Sequence, residues 1–194
     1  MKKFFTLFLA ACLLCAPALA LAEAPTPTAQ SGSGVLVAYF SCTGNTRPIA
    51  EAIAEGLGAD LFEIVPETAY TESDLDYGDD ESRTSIEQND PDARPAIAAE
   101  SAVEDMARYD VVFLGYPIWW GDAPRIISTF LESYDFSGKT IVPFCTSGSS
   151  GIGSSATDLE PLAEGAEWLE GRRFAAGTEA DEVMAWVGSL GLFA

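Results

Sequence analysis

The chain has 194 residues, a length that suits one domain with its own hydrophobic core. Its 30 acidic and 10 basic side chains give a formal charge of −20 at pH 7, which makes nucleic acid and anionic lipid poor partners and favours cationic ones. The chain contains no histidine, which excludes Ser-His-Asp and Cys-His catalysis and zinc sites with histidine ligands.

The N-terminal residues predict an exported protein. Residues 1–22 contain two lysines, an apolar run and an A-x-A pattern that ends at Ala22, the arrangement of a cleaved signal peptide. Leu9–Cys12 also resembles a lipoprotein cleavage box, which leaves lipid anchoring open as an alternative. Residues 23–33 are rich in Pro, Thr, Ser and Gly, and predict a linker. The mature domain is then residues 34–194, without a membrane span, because the apolar run before it is short for one.

Five runs of apolar residues predict the strands of a sheet. In chain order the predicted strands are Val35–Phe40, Leu61–Val65, Val111–Gly115, Thr140–Cys145 and an edge strand, Trp168–Phe174. The runs are continuous rather than alternating, which is typical of parallel strands that are buried on both faces.

Apolar residues at helical spacing predict five helices between and after these strands. They are marked by Ile49–Leu57 after Pro48, Ile97–Met106 after Pro95, Ile126–Tyr134 after Pro124, Leu159–Leu162, and Met184–Leu190. The acidic stretch 67–92 is predicted to be a long surface loop or a partly ordered insertion. Strand and helix alternate, so the predicted fold class is α/β, a doubly wound five-stranded parallel sheet. Ligands of such sheets bind beyond the carboxyl ends of the strands.

Three turns at predicted strand ends lack carboxylates. None of the 30 acidic residues falls in 31–50, 111–121 or 136–157. Burial explains their absence from the strands, because unpaired carboxylates are rarely buried. It does not explain their absence from the turns, which are normally polar and exposed. An anionic ligand bound by these turns would explain both.

The first turn, Ser41–Thr46, predicts a phosphate site. Ser41, Thr43 and Thr46 offer hydroxyl donors, and Gly44 lets the backbone approach a ligand closely. The backbone amides of this turn lie at the amino end of a predicted helix, where a phosphate is favoured. The turn contains no lysine, so a single phosphate monoester fits better than a nucleoside triphosphate. A capped turn that binds nothing remains the alternative interpretation.

The other two turns suggest an aromatic ligand. Trp119 and Trp120 follow Pro117 at a strand end, where an indole can stack on a flat ring, although packing beneath the loop is the alternative. The Gly- and Ser-rich turn 146–153 can bring backbone amides to the polar edge of the same ring, or it can be a flexible loop. Within it, Gly151–Ala156 fits a G-x-G-x-x-A dinucleotide pattern, but only one predicted strand follows, too few for a dinucleotide half-fold.

These motifs together resemble the flavodoxins. "SCTGNT" at Ser41–Thr46 fits their S/T-x-T-G-N-T phosphate loop, and the other two turns stand where that fold has its two flavin-ring loops. The likeness is closer to a bacterial flavodoxin-like family and covers about residues 34–192. It is carried by "SR" at Ser82-Arg83, "EQND" at Glu87–Asp90, "ARP" at Ala93–Pro95, "GYPIWWGDAPR" at Gly115–Arg125, and "GKTIVPFCTSGSSGIG" at Gly138–Gly153.

The resemblance implies strand order 2-1-3-4-5 and bound FMN. It assigns the FMN phosphate to Ser41, Thr43, Gly44, Asn45 and Thr46; one side of the isoalloxazine to Pro117, Ile118, Trp119 and Trp120; and its other edge to Thr146, Ser147, Gly148 and Ser149. The implied function is electron transfer, either as a carrier or as a quinone- or NAD(P)H-type oxidoreductase. The redox partner is unknown, and the acidic charge of the chain favours a cationic one. The predicted export signal departs from the cytoplasmic flavodoxins, which puts their usual reductase partners and a cytoplasmic supply of nicotinamide in doubt.

The implied strand order also bears on whether the two cysteines of the predicted mature domain form a disulfide. It separates strands 1 and 4 by two positions, or about 10 Å, whereas a disulfide requires α-carbons within about 7 Å. Cys42 and Cys145 are therefore predicted to remain unbridged.

A second functional hypothesis is a non-redox exported module that binds another phosphorylated aromatic ligand, or none. The colour of the purified protein distinguishes the two hypotheses.

Overall fold

A computed structural model describes residues 34–193 of the chain. The predicted signal peptide and linker, residues 1–33, lie outside the described residues. The strands are β1 (Val35–Tyr39), β2 (Asp60–Glu63), β3 (Val111–Pro117), β4 (Thr140–Thr146), β5 (Glu167–Trp168) and β6 (Arg172–Phe174). They form one parallel sheet in the order β2-β1-β3-β4-β5, with β6 also pairing with β4. This confirms the predicted fold class and the strand order 2-1-3-4-5.

The predicted edge strand is two short strands rather than one. β5 pairs with the start of β4, and β6 pairs with its end. The carbonyl of Ile141 in β4 accepts a hydrogen bond from the Leu169 amide, so Pro143, two residues later, faces the same side. Proline has no N–H to donate, which interrupts the ladder between β5 and β6.

The helices are α1 (Arg47–Leu57), α2 (Arg83–Asn89), α3 (Arg125–Glu132) and α4 (Ala180–Ser189), with one-turn 3₁₀ helices at Ser73–Leu75, Met106–Arg108 and Glu160–Leu162. α1, α3 and α4 confirm three predicted helices. Pro48 lies in the first turn of α1, and Gly58 ends that helix with φ of 61°. The predicted helix near Leu159 is only the last of the 3₁₀ turns.

The helix predicted after Pro95 is wrong. Its backbone pairs instead with the chain after β2, because the Ala98 amide donates to Val65 and the Glu67 amide donates to Ala96. The Ser101 hydroxyl donates to the Glu63 carbonyl at 2.7 Å, a side-chain bond that competes with helix formation. Only the 3₁₀ turn Met106–Arg108 remains helical.

A helix forms within the acidic stretch, where none was predicted. α2 begins after Ser82, whose hydroxyl oxygen accepts a hydrogen bond from the Ser85 amide and caps the helix. Ile86, its one large apolar residue, is exposed, so α2 has no apolar periodicity that sequence analysis could detect. Most of the stretch is therefore ordered by polar contacts.

The core lies in two layers, one on each face of the sheet. Alternate strand residues point to opposite faces, and α1 and α4 cover one face while α3 covers the other. Fully buried Ile53, Phe113 and Phe130 illustrate the two layers, and each such side chain contributes about 1.5–3 kcal/mol. Within residues 34–193, no helix is both long and apolar enough to cross a lipid bilayer.

Candidate functional site

The carboxyl ends of β1, β3 and β4 open into a pocket of about 440 Å³, within the usual range for small-molecule sites. The three acid-free turns meet there. The predicted site residues that line it are Ser41, Thr43, Asn45, Thr46, Pro117, Ile118, Trp119, Thr146, Ser147 and Gly148. The predicted residues Gly44, Trp120 and Ser149 are not part of the lining. Three turns that are distant in the sequence thus share one cavity.

The first turn presents hydrogen-bond donors without acceptor partners. Among the described residues, the backbone amides of Thr43, Gly44 and Asn45 have no protein acceptor, whereas the Thr46 amide donates to Ser41 Oγ at 3.3 Å. Gly44 has φ of 79°, a conformation that side-chain-bearing residues rarely adopt. The turn leads directly into α1, whose first turn contains no acidic residue. These donors suit a phosphate dianion.

A buried hydroxyl pair joins the first turn to the third. Thr46 Oγ1 and Thr146 Oγ1 lie 2.8 Å apart, and the two residues are only 1% and 4% exposed. Thr146 is the last residue of β4, two strands away from β1. This hydrogen bond holds the two turns at a constant separation, so the pocket is largely preformed.

The basic residue that follows the first turn in the chain is already paired. Arg47 Nη2 lies 2.7 Å from each carboxylate oxygen of Glu63 in β2. Arg47 does not line the pocket. An anion in the first turn would therefore be bound by neutral donors, as predicted from the absence of lysine.

The two tryptophans of the second turn have different environments. Trp119 is 2% exposed and packs edge-on against Phe40 and Tyr70, with ring centroids 5.6 and 5.4 Å apart. Trp120 is 47% exposed, has φ of 49°, and lies 4.7 Å from the ring of Tyr77. The two indoles do not form one continuous wall, because the backbone turns between them. Trp119 lines the pocket from the core, and Trp120 lies outside the lining.

One wall of the pocket contains none of the predicted site residues. Glu72, Leu75 and Tyr77 of the acidic stretch line it, as does Ala176 after β6. Glu72 is the one carboxylate among the lining residues, and it comes from outside the three turns. The apolar Leu75 and Tyr77 within a run of acidic residues were the available signal for this wall, since such side chains tend to pack against something.

A polar cluster holds this acidic wall in place. Arg83 Nε donates to Glu87 Oε1 at 2.7 Å, Tyr70 Oη donates to Glu87 Oε2 at 2.6 Å, and the Arg83 guanidinium lies 3.9 Å above the Tyr70 ring. Burial and the hydrogen bond to Glu87 raise the pKa of Tyr70 well above its ordinary value, so the phenol stays protonated. The "SR" and "EQND" motifs therefore hold the wall together.

Helix α2 also supports the second turn. Gln88 Nε2 donates to the carbonyls of Trp119 and Ala123 at 3.2 and 3.3 Å. Arg125 Nη2 donates to the Gln88 carbonyl at 3.0 Å, and Arg125 Nη1 contacts Asp122 at 3.2 Å. These bonds fix the backbone on both sides of the exposed Trp120.

The third turn is held from behind by β6. Arg173 Nη2 donates to the carbonyls of Ser147 and Gly148 at 2.6 and 2.8 Å, and Arg173 Nε donates to Ser147 Oγ at 3.2 Å. The Ser147 hydroxyl in turn donates to the Ser150 carbonyl. The turn predicted to contact the ring edge is thus ordered rather than a flexible loop.

Cys42 and Cys145 are both free thiols. Cys42 follows β1 and Cys145 lies in β4, and β3 separates these two strands. This agrees with the prediction that they are not bridged. Burial raises the pKa of each thiol to about 12, although Arg83 lowers that of Cys42 and Arg173 lowers that of Cys145 in part. Cys42 lines the pocket, and Cys145 is buried.

Both thiols should therefore resist alkylation in the folded protein. A thiol with a pKa near 12 is only about 0.01% thiolate at pH 8, and the thiolate is the reactive form. Iodoacetamide modification, followed by mass spectrometry, should be slow at pH 8 and accelerate up to at least about pH 10. The urea-unfolded chain, whose thiols regain ordinary pKa values, serves as the fast control. The test uses protein that lacks residues 1–22 and therefore Cys12 and Cys15. Rapid modification of the remaining thiol in its native Cys42→Ser or Cys145→Ser variant at pH 8 would contradict these raised pKa values.

Several known proteins are similar to this chain in sequence and in fold. A family model described as Flavodoxin matches residues 34–190. The crystal structure of a candidate flavoprotein from Bacteroides eggerthii is 48% identical, with a TM-score of 0.75 and coverage of 81% of this chain and 98% of that chain. A Lactobacillus acidophilus flavoprotein, solved in complex with FMN, is 23% identical, with a TM-score of 0.55 and coverage of 77% and 97%.

One curated relative is an enzyme. It is an NAD(P)H dehydrogenase (quinone) from Cupriavidus metallidurans, 33% identical over 107 residues. The match covers 52% of this chain and 46% of that protein, so the chain spans less than half the length of this relative.

Proposed function

The chain belongs to the flavodoxin family, and we propose that it binds FMN in the pocket between its three acid-free turns and transfers electrons between two other molecules. The observation that carries this proposal is a set of unpaired amides and neutral hydroxyls beside a cavity lined by Trp119 and Ile118. That combination suits a phosphate joined to a flat aromatic ring. The complex of FMN with the Lactobacillus flavoprotein, which has the same fold, supports the choice of ligand.

The residues of the first turn would bind the phosphate. The amides of Thr43, Gly44 and Asn45 would donate to its oxygens, together with hydroxyls of Ser41, Thr43 and Thr46. The carboxylate-free turn avoids repulsion, and the Arg47–Glu63 pair keeps the nearby cation occupied. Affinity for the phosphate should therefore depend only weakly on ionic strength, because the donors are dipoles rather than charges.

The second and third turns would hold the ring. Bound FMN would supply the redox chemistry, since it accepts and releases electrons. Pro117, Ile118 and Trp119 would cover one side of the ring and exclude water from it, with Trp120 at the outer margin. Thr146, Ser147, Gly148 and Ser149 would lie along its polar edge. The Thr46–Thr146 hydrogen bond would keep phosphate and ring sites at a matched distance.

Within this class, we favour an oxidoreductase that passes electrons to a quinone. The named activity of the Cupriavidus relative supports this choice over a carrier. The redox partner remains a proposal, and the charge of −20 favours neutral or cationic acceptors over anionic ones. We further propose export from the cytoplasm, which the signal-like residues 1–22 support.

Titration with FMN tests the proposal. Protein lacking residues 1–22 should quench flavin fluorescence at a one-to-one ratio and retain the yellow colour through gel filtration. Riboflavin, which lacks the phosphate, should bind far more weakly. A colourless protein that neither FMN nor riboflavin reconstitutes would contradict the proposed function and favour a module for another phosphorylated ligand.

The choice between enzyme and carrier needs a second assay. The FMN-loaded protein should oxidise NAD(P)H in the presence of a soluble quinone, with a rate that is first order in protein. Stable FMN binding without turnover above that of free FMN would leave the carrier as the function.

A further inference from the structure

Arg173 has an unusual position in this acidic protein. Residues 34–193 contain eight basic side chains, and six of them form salt bridges with carboxylates. Within that range, only Lys139 and Arg173 have no carboxylate partner. Lys139 donates to the Tyr109 carbonyl at the amino end of β4, opposite to the pocket. Arg173 is therefore the basic side chain at the pocket end of the sheet whose charge no carboxylate neutralises.

The hydrogen bonds of Arg173 orient the third turn. Its Nη2 donates hydrogen bonds to two successive carbonyls, those of Ser147 and Gly148. In a trans peptide the C=O and N–H groups point in opposite directions, and the described residues contain no cis bond. The N–H groups of Gly148 and Ser149 consequently point away from the guanidinium.

Those two N–H groups have no acceptor among the described residues. Successive unpaired amides form a concavity that attracts negative charge. Ser147 and Gly148 line the pocket, whereas Ser149 and Arg173 lie outside the lining. The uncompensated positive charge of Arg173 therefore lies in β6, directly behind the turn that carries the two oriented donors. This arrangement suits a ligand edge that becomes more negative.

We propose that Arg173 is a positioning residue that strengthens the binding of reduced FMN relative to that of oxidised FMN, and so raises the reduction potential of the bound flavin. The inference rests on the proposed function. Reduction of the ring by two electrons with uptake of one proton adds one negative charge to it. Arg173 and the amides that it orients stabilise that charge, whereas the acidic surface opposes it from a greater distance and is more strongly screened. The effect favours an enzyme that accepts electron pairs over a low-potential carrier.

The test compares two neighbouring arginines. Arg173→Gln removes the unpaired charge, and Arg172→Gln removes an equal charge that Glu182 neutralises at 2.6 Å. The dissociation constants of oxidised and dithionite-reduced FMN are measured by titration, and the midpoint potential is measured by equilibration with a reference dye. In Arg173→Gln, binding of reduced FMN should weaken about tenfold more than binding of oxidised FMN. For a two-electron couple, tenfold corresponds to a potential about 30 mV lower.

Arg172→Gln should leave the ratio of the two constants within about twofold of the wild-type value. Arg173→Lys retains the charge but loses the planar guanidinium. The ratio of its two dissociation constants should also stay within about twofold of the wild-type value, although both constants should rise because the third turn is less well held. A purely structural role for Arg173 would weaken both redox states equally in the Gln variant.

The outcomes separate the two proposals. Equal ratios in wild-type and Arg173→Gln protein, with FMN still bound, would overturn this inference and leave the proposed function intact. Equal shifts in Arg172→Gln and Arg173→Gln would also overturn it, because they would show an effect of net charge. A Lys variant with the ratio of the Gln variant would overturn the role of the charge. Failure of the wild-type protein to bind FMN would overturn the proposed function and the inference with it.

Discussion

Replacing Asn45 with Asp should weaken FMN binding by about two orders of magnitude while making the apo fold slightly more stable. The substitution changes the side-chain amide of Asn45 into a carboxylate. In this turn the backbone N–H groups of Thr43, Gly44 and Asn45 are unpaired. Two unit charges about 4 Å apart repel each other by about 4 kcal/mol at the effective dielectric constant of a protein surface, and salt reduces that value. About 3 kcal/mol of net repulsion corresponds to the expected loss of affinity.

The stability of the apoprotein should change in the opposite direction. Residue 45 lies just before α1, and a carboxylate at the amino end of a helix is stabilising by about 0.3–1 kcal/mol. A variant that is more stable but binds FMN less well would separate a ligand-binding role from a structural one. If the turn were only a capped turn, the same substitution would raise stability and leave FMN binding unchanged.

Two controls sharpen this experiment. Asn89→Asp adds the same charge at the exposed end of α2, outside the pocket lining, and should alter FMN affinity by less than about twofold. Riboflavin lacks the phosphate, so its weaker binding should change little in Asn45→Asp. Isothermal titration with both ligands measures the affinities, and thermal unfolding measures the stability. An equal loss for FMN and riboflavin would contradict a phosphate site in this turn.

Replacing Gly115 with Ala should lower the free energy of unfolding by about 3 kcal/mol. A β-carbon at Gly115 would lie 2.2 and 2.5 Å from ring atoms of Phe144, its partner in register on β4. The Phe144 ring is fully buried, so it has no space into which it can move. Gly115 is also two residues before Pro117, so any backbone shift in β3 would move the second turn and weaken FMN binding.

The steric origin of this effect can be tested with two further variants. In Gly115→Ala/Phe144→Leu the ring is gone, so the double variant should be more stable than the sum of the two single effects predicts. Gly188→Ala makes the same substitution inside α4 where no atom lies within 4 Å of the new carbon, and it should stabilise the protein by up to about 1 kcal/mol. Urea denaturation measures each change. Additive effects of the two core substitutions would contradict the clash.

The sequence supported good predictions wherever a local pattern was sufficient. The apolar runs at β1, β3 and β4 reflect burial on both faces, and the Pro48 and Gly58 signals reflect the preferences of helix ends. Ten of the thirteen residues assigned by the resemblance line one pocket, because the carboxyl ends of adjacent parallel strands meet at one edge of a sheet. Their role in binding a cofactor stays a prediction.

Predictions failed where tertiary contacts override local preference. The residues after Pro95 have helical spacing, yet Ala98 and Ser101 use their hydrogen bonds on the chain that leaves β2. α2 forms without an apolar face, because the side chains of Arg83, Thr84 and Gln88 donate to backbone carbonyls outside the helix. No periodicity in the sequence reports such bonds.

The sequence by itself determined the sheet, the parallel direction of its strands and the acid-free turns, since these follow from residue type and spacing along the chain, whereas the strand order 2-1-3-4-5 came from the family resemblance. Only the tertiary structure decided that Trp119 packs into the core while Trp120 remains exposed, that Glu72 and Tyr77 close one side of the pocket, and that Arg173 holds the third turn without a carboxylate partner. The physical reason is that exposure and charge pairing depend on which segments contact each other in the folded protein, and the spacing of residues along the sequence does not specify those contacts.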